Sequence, residues 1–191
     1  MKVLLIEPPK KTWELMGKCV SPPLGIAQLA AILERENIDV DLVDCNASGL
    51  GWVGLERTIE ESQPGIVGAS AITPFFSHAL RTMRIAKEVN PDIRTVIGGP
   101  HPTFTANETL MENPEIDIVA RGEGERTIVD LVRCLDNGGD LSQVKGIALR
   151  RNGEIAKTPD QPLIDVDELP IPAYHFLPMN KYHFTVFGKF T

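Results

Sequence analysis

The sequence lacks several motifs that would assign it to a common class of protein. Its three cysteines, Cys19, Cys45 and Cys134, lie far apart and form no CxxC pair, which argues against a zinc or iron–sulfur site within the chain. The apolar run near the start, residues 3–6, is too short for a signal peptide, and no stretch approaches the length of a membrane span. We therefore expect a cytoplasmic protein with reduced thiols and no membrane partner.

Positive charge is also scarce. The 191 residues include 19 Lys and Arg against 26 Asp and Glu, a formal net charge of -7, and no basic run interrupts this balance. Nucleic acids and acidic membranes bind basic surfaces, so neither is an expected partner.

The sequence has no nucleotide-binding motif in the expected place. Dinucleotide-binding domains place GxGxxG directly after the first strand, where this chain has Glu7-Pro8-Pro9. A GxxxxGK[ST] phosphate loop is absent, and Gly122-Glu123-Gly124 is acidic, the wrong sign for a phosphate. A phosphoacceptor site would need an acidic pair after the first strand, and Glu7 stands alone. A nucleotide-binding α/β enzyme stays open only as a minor alternative.

What the chain does contain is a regular alternation of strands and helices. Short apolar runs predict five buried strands, and apolar residues at helical spacing predict five helices between and after them. The predicted strands cover residues 3–6, 40–43, 66–70, 93–97 and 116–119. This alternation predicts an α/β fold with a doubly wound five-stranded parallel sheet in the flavodoxin-like (Rossmann-like) order 2-1-3-4-5.

The character of the chain changes after Gly139. Residues 146–150 and 154–158 flank Asn152-Gly153, a strong hairpin signal. Prolines then recur through residues 159–178, where we expect an extended tail lying against another body. We therefore divide the chain into residues 1–140, a flavodoxin-like domain, and residues 141–191, a β-hairpin and linker.

The predicted rim of the sheet is rich in glycine and small residues. It comprises the loops after strands one, three, four and five: residues 10–21, 70–74, 98–103 and 121–125. Ligands of open α/β sheets bind at this edge. A large, mostly neutral, flat cofactor fits such a rim better than a compact anion does.

Three segments in order carry a resemblance to a known family. They are residues 22–33 (PPLGIAQLAAIL), 98–103 (GGPHPT) and 121–127 (RGEGERT). The tail adds GIA at residues 146–148 and LPIPA at residues 169–173. Together they resemble the N-terminal cobalamin-binding domain of B12-dependent radical SAM enzymes, and the resemblance covers nearly the whole chain.

The resemblance implies a flavodoxin-like domain that holds cobalamin at the carboxyl ends of its strands. In the family, a C-terminal radical SAM barrel carries CxxxCxxC, a [4Fe–4S] cluster and S-adenosylmethionine, and many members are methyltransferases. This chain has no CxxxCxxC and stops at Thr191, about where the barrel would begin. We expect a truncated or stand-alone domain that binds cobalamin, partners the barrel, and has no catalytic residues of its own. The alternative is a degenerate flavodoxin-like scaffold or interaction domain that has lost the cofactor.

The chain departs from B12 domains that ligate cobalt through DxHxxG. The residues two positions before His78, His101, His175 and His183 are Phe76, Gly99, Ala173 and Lys181, never Asp. We therefore expect no metal ligand from this chain.

The predicted cofactor-binding residues lie at three strand ends. They are Ser70, Thr73, Gly98, Gly99, Pro100, His101, Arg121, Gly122 and Glu123. Local explanations stay open for several: a tight turn for the glycines, hydroxyl bonds to the backbone for Ser70 and Thr73, and a bracing ion pair between Arg121 and Glu123. Glu125 is expected to favour the helix dipole, and Trp13, Met16 and Cys19 either to cover the corrin or to anchor their loop.

Overall fold

The structure is a computed structural model and describes residues 1–10 and 21–182. A single seven-stranded sheet, in the order β2-β1-β3-β4-β5-β6-β7, runs through the described chain. Its strands are β1 Val3–Glu7, β2 Val40–Asp44, β3 Ile66–Ser70, β4 Arg94–Gly98, β5 Ile118–Ala120, β6 Ile147–Arg151 and β7 Glu154–Lys157. The first five strands are mutually parallel. Strand β6 runs antiparallel to β5, and β7 runs antiparallel to β6.

Helices cover both faces of this sheet. They are α1 Leu24–Arg35, α2 Cys45–Ser48, α3 Trp52–Ser62, α4 Phe76–Val89, α5 Pro100–Phe104, α6 Ala106–Glu112 and α7 Gly124–Asp136. Apolar residues of α1 and α7 share one core with Val3 and Leu5, whereas those of α3, α4 and α6 share the other with Leu4 and Ile6. Because successive strand residues face opposite ways, one run of four apolar residues contributes to both cores.

The α/β class and the mostly parallel sheet are confirmed, but the predicted count of five strands is wrong. The hairpin around Asn152 and Gly153 forms as predicted, and both turn residues have positive φ, 53° and 82°. It does not stand apart, because β6 pairs with β5 and extends the sheet. The reason is that β5 would otherwise be an edge with unpaired N–H and C=O groups.

Two predicted loops contain short helices. Asp44 accepts hydrogen bonds from the N–H groups of Asn46 and Ala47, at 2.8 and 3.2 Å, and so caps α2. Helix α5 begins at Pro100 in the segment predicted as a stiff loop. Proline suits the first turn of a helix because the N–H that it lacks has no partner there.

The proline-rich tail packs on its own domain, contrary to the expectation that it would lie against another body. The N–H of Ala173 donates to the carbonyl of Ala27 at 3.0 Å, and Gln28 Nε2 donates to the carbonyl of Pro170 at 2.8 Å. Ala173 and Leu177 are buried in the core beneath α1.

Polar groups buried at the amino end of β4 contribute to the fold. Thr95 is fully buried, its hydroxyl donates to the Glu115 carbonyl at 2.7 Å, and its N–H donates to Asp117 Oδ2 at 2.9 Å. Lys87 Nζ lies 2.6 Å from the same carboxylate oxygen. These bonds tie α4, β4 and the start of β5 together, away from the ligand edge.

We predict that Thr95→Val destabilises the protein by about 1–3 kcal/mol, the cost of leaving buried hydrogen-bonding groups unpaired. Valine keeps the shape of threonine, so packing is preserved. The loss of stability therefore measures the contribution of the hydroxyl's hydrogen bonds. Urea unfolding followed by circular dichroism measures the change. Thr58→Val is the matched control, because that hydroxyl bonds only the Gly54 carbonyl of its own helix at 2.8 Å, and we expect a change within about 0.5 kcal/mol. Equal losses in the two variants would contradict the prediction.

Candidate functional site

A cavity of about 200 Å³ opens at the carboxyl edge of the sheet, between the first turns of α1 and α7. This is several times the roughly 30 Å³ that one water molecule occupies in the liquid. Its walls are mainly apolar, and six of the described residues that line it are glycines. The lining residues are Leu5, Gly25, Ile26, Leu29, Gly68, Ala69, Ser70, Val96, Gly98, Gly99, Ala120, Gly122, Glu123, Gly124, Glu125 and Ile128.

Gly99 fixes the shape of this edge. Its φ of 95° with ψ of 178° is a backbone conformation that side-chain-bearing residues rarely adopt. A Cβ there would lie 2.5 Å from Ser70 Oγ and 2.8 Å from the Ala71 carbonyl oxygen. The Ala71 N–H donates to the Gly98 carbonyl at 2.8 Å, and the His101 N–H donates to the Ala71 carbonyl at 3.1 Å. The bare backbone of Gly99 therefore lets the ends of β3 and β4 meet.

The other cavity glycines differ in the space around them. A Cβ on Gly68 would lie 2.9 Å from Leu5 Cδ2, and one on Gly124 would lie 3.1 Å from Leu29 Cδ2. A Cβ on Gly25 or Gly122 would meet nothing within 4 Å. The first pair permits close packing, whereas the second pair leaves open space at the cavity.

Five of the nine predicted site residues line the cavity. These are Ser70, Gly98, Gly99, Gly122 and Glu123. The N–H of Gly122 donates to Thr103 Oγ1 at 3.1 Å, which holds the β5–α7 loop against α5. The side chain of Ser70 makes no hydrogen bond within the described part of the chain.

The other four predicted residues lie outside the cavity lining. Thr73 and Pro100 are exposed, and Thr73 Oγ1 lies 3.1 Å from His101 Nδ1. The His101 ring packs against Phe76 with its centroid 4.2 Å away. These residues share the carboxyl edge with the cavity but face the α4 side of the sheet.

Arg121 lies outside the cavity lining and binds the tail. Its guanidinium donates to the carbonyl of Thr158 and to Asp160 Oδ1, the latter at 2.8 Å. The predicted bracing pair with Glu123 does not form; Arg121 pairs with Asp160 instead. The tail passes beside the end of β5, so its carbonyl and carboxylate oxygens reach the guanidinium, and Arg121 anchors the tail.

Sequence reasoning missed the contributions of α1 and α7 to the cavity. Gly25 begins the apolar face of α1, and a lone glycine within a helical pattern is itself a signal of close packing or ligand approach. Glu125 was expected only to favour the helix dipole, yet it also lines the cavity. The predicted roles of Trp13, Met16 and Cys19 lie outside the described residues.

A second polar group lies at the carboxyl ends of β1 and β2. Burial raises the pKa of Glu7, although Lys10 opposes the rise. Burial also raises the pKa of Tyr182, whose hydroxyl donates to Asp44 Oδ2 at 2.9 Å. Burial, aided by the negative charges of Asp44 and Glu7, raises the pKa of the Cys45 thiol to about 12. Burial lowers the pKa of His78, and the charges of Lys10 and Arg81 add to this.

Two absences hold for the part of the chain that the structure describes. No group of three or more His, Cys, Asp or Glu side chains is arranged to hold a metal ion there. Across residues 1–10 and 21–182, no helix has the length and apolar character needed to cross a membrane.

A parallel α/β sheet with a glycine-lined cavity at its carboxyl edge defines a cofactor-binding domain. The B12 binding domain family matches residues 18–132. The chain belongs to this family, as its sequence motifs predicted.

Relatives and solved structures agree with this assignment. The chain is 42% identical over 185 residues to an uncharacterised methyltransferase of Pyrococcus horikoshii, covering 95% of this chain and 40% of that protein. It is 40% identical over 196 residues to the anaerobic magnesium-protoporphyrin IX monomethyl ester cyclase of Rubrivivax gelatinosus, covering 95% of this chain and 35% of that protein. It therefore spans well under half the length of these relatives.

The same fold occurs in two solved enzymes. OxsB, a cobalamin-dependent S-adenosylmethionine radical enzyme solved with aqua-cobalamin and S-adenosylmethionine, superposes with a TM-score of 0.78 at 22% identity, over 92% of this chain and 24% of that one. TsrM of Kitasatospora setae, a radical S-adenosylmethionine methyltransferase solved with cobalamin and a [4Fe-4S] cluster, gives 0.71 at 18% identity, over 89% of this chain and 31% of that one. Nothing in the comparisons supports a scaffold that has lost the cofactor.

We predict that Gly99→Ala destabilises the protein by about 1–3 kcal/mol or more. This is the cost of holding a residue with a side chain at the positive φ that Gly99 adopts. Gly25→Ala is the control, because its helical backbone and open surroundings accept a methyl group, and we expect a gain of up to about 1 kcal/mol. Chemical denaturation of both variants tests the pair. A Gly99→Ala protein as stable as the parent would show that the close approach is not required.

We also predict that Cys45 resists iodoacetamide at pH 8 in the folded protein, since a buried thiol with a pKa of about 12 holds almost no thiolate. Mass mapping of alkylated peptides gives the readout. The half-buried Cys134 is the internal comparison, and it should react faster. Rapid alkylation of Cys45 before unfolding would contradict its burial.

Proposed function

We propose that this chain is the cobalamin-carrying part of a larger radical SAM enzyme, a methyltransferase in its whole form. The observation that carries the proposal is the glycine-lined cavity at the carboxyl edge, in a chain of the B12 binding domain family. Its apolar walls and bare backbone fit the flat aromatic base of the cofactor's nucleotide. The broad rim above it would then face the corrin.

The donor set of the cavity suits this cofactor better than a compact anion. Among residues 1–10 and 21–182, no Lys or Arg lines it, and phosphate sites normally supply cations. Its polar side chains are Ser70, Glu123 and Glu125. A few polar groups in an apolar cleft orient a large ligand without surrounding it with charge.

The strand order supports the same location. The five parallel strands lie in the order β2-β1-β3-β4-β5. In this doubly wound order, β2 is added on one side of β1 and the later strands on the other side, so the strand order reverses between β1 and β3. Ligands of such sheets bind outside the carboxyl ends of the strands near this reversal. Leu5 of β1 and Ser70 of β3 both line the cavity.

The predicted site residues divide between two parts of this proposal. Ser70, Gly98, Gly99, Gly122 and Glu123 would contact the nucleotide end of cobalamin. Thr73, Pro100 and His101 would lie under or beside the corrin on the same edge. Arg121 would act indirectly, by holding the tail against β5.

When bound, cobalamin supplies a carrier for a methyl group. The residues of this chain would position that carrier and shield part of it from water. A [4Fe–4S] cluster and S-adenosylmethionine would belong to a barrel supplied by a further domain. Residues 141–191 would lead to that domain, although the hairpin itself continues the sheet of residues 1–140.

Gly25→Leu tests the cavity directly. A Cβ at this helical position meets nothing within 4 Å, and the leucine side chain would take up cavity space that the nucleotide needs, so we predict a loss of hydroxocobalamin binding of at least tenfold with the fold retained. Co-elution in gel filtration and the shift of the cobalamin absorption bands measure binding, and circular dichroism checks the fold.

Gly51→Leu is the matched control. Gly51 also has open space around its Cα, but it begins α3 on the other face of the sheet and does not line the cavity. It should bind cobalamin as the parent does. If the parent chain fails to retain hydroxocobalamin, the proposed function is wrong; if Gly25→Leu binds normally, the cavity is not the site.

A further inference from the structure

Glu125 carries a buried oxygen atom with no partner. Its Oε2 is inaccessible to solvent and makes no hydrogen bond with any described residue. The neighbouring Glu123 is exposed, so the two acidic residues at the start of α7 stand in different surroundings. Buried polar atoms are nearly always paired, and an exception calls for a specific explanation.

The position of Glu125 gives that explanation. The residue lines the cavity and lies in the first turn of α7, where negative charge is favourable. Ile128 follows one turn further along the same helix and also lines the cavity. Helix α7 starts at the carboxyl edge of the sheet, so Glu125 lies nearer the mouth and Ile128 nearer the apolar floor.

A carboxylate only accepts hydrogen bonds, so its missing partner must be a donor. The dimethylbenzimidazole base of cobalamin has no N–H group to donate and suits the apolar floor. The ribose joined to that base carries hydroxyl groups and would lie one step closer to the mouth. Among the parts of the nucleotide, the sugar is therefore the donor that reaches the level of Glu125.

We propose that the carboxylate of Glu125 accepts a hydrogen bond from a ribose hydroxyl of the cofactor's nucleotide. This inference rests on the proposed function and adds a specificity-determining residue to it. It makes Glu125 the group by which the chain distinguishes a complete cobalamin from a corrinoid that lacks the nucleotide. Oε2 has no hydrogen-bond partner among the described residues, and the carboxylate would turn into the cavity on binding and gain one.

The test compares hydroxocobalamin with cobinamide, which has the same corrin but no nucleotide. Glu125→Ala should weaken cobalamin binding by about tenfold to hundredfold, the range expected for a hydrogen bond to a charged group. Glu125→Gln, which keeps an accepting oxygen without the charge, should lose less. Neither substitution should change cobinamide binding. Titration followed by the absorption bands gives the dissociation constants.

Thermal unfolding without ligand separates this role from a structural one. Glu125→Ala removes no hydrogen bond among the described residues and loses only the favourable interaction with the dipole of α7, so the unfolding temperature should fall by no more than a few degrees. Glu108→Gln, in the first turn of α6 and exposed, is the matched control and should alter neither readout.

Three results would overturn the inference. They are unchanged cobalamin binding by Glu125→Ala, an equal loss for both corrinoids, and a lowered unfolding temperature that accounts for the loss. If cobinamide binds too weakly to titrate, the dissociation constants for cobalamin and the unfolding temperatures decide whether the inference holds. If the parent chain binds neither corrinoid, the proposed function is wrong as well. If the parent chain binds cobalamin, a negative result with the Glu125 variants contradicts only the role of Glu125.

Discussion

The close approach of Gly99 to the end of β3 is the constraint on which the ligand edge depends. With a side chain at this position, Ser70 and Ala71 would have to move by about 0.5 to 0.9 Å, since a Cβ would lie 2.5 to 2.9 Å from their atoms and ordinary contact begins at 3.4 Å. The hydrogen bonds that link Gly98, Ala71 and His101 extend the sheet's ladder past the last strand residues. They set where α5 begins, and the floor of the cavity follows from that geometry.

The two ends of β4 differ in how completely their buried polar groups are hydrogen-bonded. At the opposite end of β4, the buried Thr95 pairs with the half-buried Asp117, which also pairs with Lys87. At the carboxyl edge, Oε2 of Glu125 is buried and has no hydrogen-bond partner among the described residues. Proteins retain such unpaired groups where a ligand completes them, at a cost to stability that the remaining core offsets.

The tail extends the domain instead of leaving it. Arg121 holds residues 158–160, α1 holds Pro170 and Ala173, and Asp44 accepts the hydroxyl of Tyr182. The tail thus packs against α1, whose first turn forms one wall of the cavity.

The sequence by itself determined the α/β class, the parallel strands, the hairpin and the family, because apolar periodicity, Asn152-Gly153 and the three motifs are local signals. It also placed Gly98, Gly99 and Gly122 at strand ends, where bare backbone is informative. Only the tertiary structure decided that β6 would pair with β5, that Arg121 would bind the tail, and that Gly25 and Glu125 would share a cavity. Those outcomes depend on contacts between residues some 25 to 100 positions apart, whose partners no local pattern specifies.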